Sequence, residues 1–102
     1  MRQEQALRAL AEPRRQAILR LVRDTPLSAG KIGEHFNVSQ QAVSQHLQVL
    51  TGAGLLCVRQ EGRRRLYAVD PEGIATLERF LTDLWPAGLG RLKRAVETRR
   101  ER

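Results

Sequence analysis

Gln40, Gln41, Ser44, Gln45 and His46 lie within seven residues and offer amide, hydroxyl and imidazole groups without one carboxylate. A solvated helix normally carries mixed charge. Gln pairs bidentately with adenine N6 and N7, and Ser bonds to several base edges, so this set suits reading a DNA groove. A merely polar, solvated face is the plain alternative. Downstream, Arg59, Arg63, Arg64 and Arg65 bring four positive charges into seven residues, opposed only by Glu61. Arginine is drawn into a narrow minor groove by its negative potential and sits equally well on phosphates. The bland reading is a charged edge strand that resists aggregation. Strand alternation would turn Arg63 and Arg65 one way and Arg64 the other. Lys31, Arg14 and Arg15 are generic phosphate candidates. His46 divides between touching the nucleic acid and packing against the preceding helix.

The elements that must position these groups follow from periodicity and punctuation. Ala6, Leu7 and Leu10 recur at helical spacing, which predicts a short first helix. Pro13 ends it and suits the first turn of a second helix, which buries Ala17, Ile18, Leu21 and Val22. Arg14, Arg15, Arg20 and Arg23 decorate its other sides. Ser28 caps a third helix with Ile32 and Phe36 as its buried pair. Asn37 suits the sharp turn that follows, since Asn tolerates positive φ. Ser39 caps the fourth helix, whose inner face is Ala42, Val43, Leu47 and Leu50. Gly54 stops it. Leu55 to Arg59 and Arg63 to Val69 read as two strands around a Gln60-Glu61-Gly62 tip, with Gly62 supplying positive φ. Asp70-Pro71-Glu72 is a strong helix start. The last helix carries Ile74, Leu77, Leu81, Leu84, Leu89, Leu92 and Val96 on one face, with a kink at Pro86 and Gly88 near Trp85. The fold class is mainly α with a two-stranded β-wing: a winged helix-turn-helix.

Composition narrows the class further. A length of 102 residues predicts one domain, taken as 1–97, with a polar tail at 98–102 that frays. The 41% hydrophobic content excludes bulk disorder, and the 4% aromatic content leaves the core to Leu, Val, Ile and Ala. The net charge of +7 favours a polyanionic partner, although an Arg excess also follows from GC-rich coding. One cysteine, Cys57, excludes an intramolecular disulfide and fits a reducing compartment. The N-terminus lacks the apolar core of a signal peptide. No apolar run approaches the roughly 18 to 20 residues that span a bilayer. The expectation is a soluble cytoplasmic protein with no membrane partner.

Catalysis finds no support. Gly52-Ala53-Gly54 is better explained as a helix stop than as a phosphate loop. Cys57 has no adjacent base and reads as a small core residue. Glu34, Asp70 and Asp83 show no pairing that spacing justifies. No catalytic residue, cofactor or metal site is expected, and the chain is read as a non-enzyme.

Three ordered segments carry a family resemblance. They are Leu10-Ala11-Glu12-Pro13-Arg14-Arg15-Gln16-Ala17-Ile18-Leu19; Val38-Ser39-Gln40-Gln41-Ala42-Val43-Ser44-Gln45-His46-Leu47; and Gly54-Leu55 with Gly62-Arg63-Arg64-Arg65-Leu66-Tyr67. Across residues 5 to 82 the chain resembles the ArsR-type winged-helix repressors. The resemblance implies a homodimer paired through the first and last helices and repression of its own or a neighbouring operon. It implies DNA contacts at Ser39, Gln40, Ser44, Gln45 and His46. Gln41 stands where many members have proline and Gln45 where many have arginine, departures that bear on the operator rather than the fold. Metal-sensing members carry a thiolate pair where this chain has Ser28 and Gly30. Their last-helix site uses His and carboxylates at helical spacing, and this last helix has no His.

Taken together, these readings predict a sequence-specific regulator, a repressor acting as a homodimer on an inverted repeat in double-stranded DNA. Such a dimer would place its two recognition helices about one DNA turn apart, roughly 34 Å. A different class remains beside it: a winged-helix interaction module that sequesters another regulator through its apolar last helix. Non-specific nucleic-acid packaging is a third. The sequence specifies no small-molecule effector.

Overall fold

The computed structural model describes residues 2–85. In order these form α1 (Arg2–Leu10), α2 (Pro13–Val22), α3 (Ala29–Gly33), α4 (Gln40–Gly52), β1 (Leu56–Glu61), β2 (Arg64–Val69) and α5 (Pro71–Leu84). This is the winged helix-turn-helix order read from the sequence. The expected kink at Pro86 and Gly88, the apolar positions Leu89, Leu92 and Val96, and the tail at 98–102 lie outside the described residues.

The first two helices are sealed together at their junction. Ala6 and Ala9 are the buried residues of α1, whereas Leu7 is 41% exposed, so the small side chains rather than the leucine make the inner face. Pro13 opens α2, and the Glu12 carboxylate caps it by accepting the Arg15 N–H at 3.1 Å. Arg15, a phosphate candidate in the sequence, is half-buried and directs its guanidinium at α1. Its Nε donates to the Ala9 carbonyl at 2.7 Å and its Nη2 to the Arg8 carbonyl at 3.2 Å. Gln16 Nε2 donates to the Leu10 carbonyl at 2.6 Å. The Arg8, Ala9 and Leu10 carbonyls at the C-terminal end of α1 thereby accept from α2 side chains.

Helix α3 is short. Ser28 Oγ caps it by accepting the Lys31 N–H, and the helix ends at Gly33, so Phe36 falls beyond it and is only half-buried. The turn into α4 does not use Asn37 as expected: among the described residues only Gly54 and Gly62 have positive φ. Short-range bonds from His35 N–H to the Ile32 carbonyl and from Phe36 N–H to the Gly33 carbonyl shape the turn instead. Ser39 Oγ then caps α4 by accepting the Ala42 N–H at 3.1 Å.

The core gathers Ile18, Val22, Ile32, Val43, Leu47, Leu50, Leu55, Leu56 and Leu77 between the helices and the base of the hairpin. Each fully buried aliphatic side chain contributes about 1.5–3 kcal/mol. Gly54, at φ 78°, turns the chain out of α4, and Leu55 N–H returns to the Leu50 carbonyl at 3.0 Å. Helix α5 starts on Asp70, whose Oδ1 accepts the Glu72 and Gly73 N–H groups. Gly73 rests directly against the Gly54 carbonyl, where any Cβ would collide. Leu77 is buried, while Leu84 and Trp85 are 70% and 51% exposed.

Strands β1 and β2 pair antiparallel from Leu56↔Val69 to Glu61↔Arg64. The turn is therefore Gly62-Arg63, with positive φ at the first position alone, as in a type II′ hairpin. A third segment joins the base. Leu27 and Tyr67 exchange two backbone hydrogen bonds, at 3.0 and 2.8 Å, which fasten the wing to the start of the helix-turn-helix.

Candidate nucleic-acid interface

Helix α4 presents two faces because its apolar residues recur at 43, 47 and 50. The opposite stripe is Gln41, Ser44, Gln45 and Gln48, all exposed and related as i, i+3, i+4 and i+7. Gln48 extends the polar stripe named from the sequence by one helical turn. The same spacing that selects Ser44 and Gln45 selects it, so the signal was present. No acidic residue stands in the first turn of α4, so a polyanion meets no repulsion from that end of the helix.

Ser39, at the head of α4, is exposed while its Oγ serves as the cap. Gln40 is exposed as well, yet its Nε2 donates to the Ala29 carbonyl at 3.2 Å. His46 turns inward. Its side chain is 18% exposed, with Nδ1 3.9 Å from the Glu12 carboxylate at the head of α2. Of its two sequence-based alternatives, this geometry fits packing within the domain.

The wing places its arginines differently from one another. Arg63 sits in the turn, not on a strand, so the expected alternation applies only to Arg64 and Arg65. Arg64 shares a face with Leu66, and Arg65 shares the other with Tyr67. The Arg65 guanidinium lies over the Tyr67 ring at 5.8 Å from its centroid, a contact worth about 0.5–1 kcal/mol at an exposed site. All three arginines and Arg59 are solvent-exposed. Lys31 lies 3.7 Å from Glu34, which offsets part of its charge.

Ser28 Oγ is engaged as the cap of α3, and Gly30 has no side chain. Among the described residues no three His, Cys, Asp or Glu side chains cluster to hold a metal. The Cys57 thiol lies 3.9 Å from the Val69 carbonyl within the hairpin. Among the described residues no helix is long and apolar enough to cross a membrane.

A capped helix with a neutral hydrogen-bonding stripe, preceded by a short helix and followed by a basic hairpin, defines a winged helix-turn-helix DNA-binding protein. Comparison with known proteins narrows the class. The helix-turn-helix domain family matches residues 10–59. The chain is 42% identical over 86 residues to the HTH-type transcriptional regulator Rv2034 of Mycobacterium tuberculosis, covering 84% of this chain and 80% of that one. It is 33% identical over 63 residues to the transcriptional repressor SdpR of Bacillus subtilis (62% and 70% covered). It is also 33% identical over 79 residues to the transcriptional activator HlyU of Vibrio cholerae (78% and 73% covered). Among solved structures, a possible transcriptional regulator for arsenical resistance superposes with a TM-score of 0.71 at 38% identity, over 88% of this chain and 94% of that one. The homodimeric winged helix-turn-helix domain of Mb0332 from Mycobacterium bovis gives 0.67 at 27% identity (84% and 80% covered). The chain belongs to the ArsR-type family of winged helix-turn-helix transcriptional regulators.

Proposed function

We propose that this regulator is a cytoplasmic repressor that binds an inverted-repeat operator as a homodimer and excludes RNA polymerase. The observation that carries the reading is the carboxylate-free stripe of α4, set beside a hairpin with four exposed arginines. Gln41, Ser44 and Gln45 face base edges in the major groove, with Gln48 at the far end of the same stripe. Ser39 lies at the phosphate backbone, where a helix N-terminus favours anions. Arg63, at the wing tip, enters the minor groove, while Arg64 and Arg65 take phosphates on either side.

Dimer formation is supported by apolar surface that the described residues leave uncovered. Leu7 on α1 and Leu84 with Trp85 at the end of α5 are exposed, and α1 packs against α5. A twofold axis there would join two copies through one self-complementary patch. The structure of Mb0332 is itself homodimeric, and SdpR is a repressor, both in keeping with this reading. No metal, cofactor or catalytic step is assigned.

The test is selection of randomised duplexes by the purified protein at near-physiological salt, followed by transcription from a promoter that carries the enriched site. An enriched inverted repeat and reduced transcription are expected. Raised transcription would make the protein an activator. Binding without enrichment would favour packaging, and no DNA binding alongside a salt-resistant protein partner would favour the sequestration module.

A further inference from the structure

The amide of Gln40 does not project with the rest of the stripe. Its Nε2 bonds the Ala29 carbonyl at 3.2 Å, eleven residues back along the chain. Its Oε1 rests over Gly33, where a Cβ would overlap it. Ala29 and Gly33 are the first and last residues of α3, and Gln40 is the first of α4. One side chain therefore reaches from the recognition helix across the turn to both ends of the helix before it. Helix α3 needs such support. It has five residues and buries only Ile32, and helices far longer than this are marginal without tertiary contacts. A bidentate adenine contact would require both ends of the Gln40 amide to aim into the groove. Here both ends are aimed at α3.

We propose that Gln40 is a positioning residue that latches α3 to the first turn of α4, with Gly33 as the notch that receives its amide. It acts on DNA through the mutual orientation of the two helices and not by touching a base. The proposal rests on the reading of α4 given above and leaves Gln41, Ser44, Gln45 and Gln48 as the base-facing set.

Gly33→Ala supplies a clean perturbation. Gly33 does not have positive φ, so alanine fits its backbone, and the overlap falls on the free end of a flexible side chain. The amide is evicted while the helices can stay in place. Gly33→Ala, Gln40→Ala and the double variant are compared with the wild type in two assays. In binding to the selected operator and to scrambled duplexes, each single variant should weaken every duplex by a common factor, about two- to tenfold for the removal of one hydrogen bond. The base-preference profile should not move, and the double variant should be no weaker than either single. In heat melting of the free protein, the shift caused by Gln40→Ala should vanish when Gly33 is already alanine. A Gln40→Ala variant that loses preference at one base pair, while Gly33→Ala binds like the wild type, would overturn the latch. Additive melting shifts would overturn it too. If the wild type shows no preference among duplexes, the base-reading assignment fails, and the melting comparison alone decides the latch.

Discussion

Replacing Gly73 with alanine tests the packing that sets α5 on the domain, because geometry and helix propensity give opposite signs. On propensity alone the change adds about 0.5–1 kcal/mol of stability, since Gly is a poor helix former. In the structure, a Cβ at Gly73 would run into the Gly54 carbonyl oxygen, lie 2.7 Å from its carbon and 3.5 Å from the Leu55 nitrogen. These are backbone atoms and cannot rotate aside. Helix α5 must lift from the junction of α4 and β1, which stretches the bond from Asp70 N–H to the Leu55 carbonyl, now 3.0 Å. That bond is worth about 0.5–1.5 kcal/mol net, and relieving an overpacked contact costs about 1–3 kcal/mol. The expected outcome is a net destabilisation of about 1–3 kcal/mol. For a domain of this size that lowers the melting temperature by about 5–20 °C. Thermal unfolding followed by circular dichroism at equal protein concentration reads the change. Gly52→Ala is the control: a Cβ there meets nothing within 4 Å, so its melting temperature should hold or rise. A Gly73→Ala protein that melts at or above the wild type would refute the argument.

Three further outcomes are expected. Leu50→Ala empties a fully buried site and should cost about 2–5 kcal/mol, read from the urea midpoint; a destabilisation under about 1 kcal/mol would mean the cavity collapses. Arg64→Ala should weaken all duplexes alike and flatten the dependence of log K on log salt by about 0.9, the slope that neutralising a single phosphate carries. Anisotropy titrations at several salt concentrations measure that slope, and an unchanged slope would remove Arg64 from the phosphate-binding set. Gln45→Ala should narrow the gap between the preferred and substituted base pair by about 1–3 kcal/mol, and a repeat selection that returns an unaltered motif would take Gln45 off the reading face.

The elements are legible wherever a local chemical signal marks an end. Ser28, Ser39 and Asp70 all cap the helices that their residue types predict, and Gly62 supplies positive φ in the wing. The misreadings share one cause, which is that the deciding partner lies elsewhere in the chain. Arg15 looks like any surface arginine until the end of α1 arrives beside it, and its guanidinium then serves carbonyls. Asn37 would suit a left-handed turn, but tight bonds at the end of α3 turn the chain without one. Residue type groups Gln40 with its neighbours, and only the juxtaposition of α3 and α4 reveals that its amide is engaged. The stripe of Gln41, Ser44 and Gln45 is legible because a single helix makes it, with no help from tertiary structure.

The pair of hydrogen bonds between Leu27 and Tyr67 has a consequence for the DNA. It joins the foot of the wing to the residue just before Ser28, where the helix-turn-helix begins. If α4 and the hairpin grip DNA as proposed, this pair of bonds helps to set the gauge between them. A duplex that does not match the gauge must itself bend or narrow a groove, and the elastic cost of doing so varies with base sequence. Base pairs that no side chain reaches would then still affect which site is occupied.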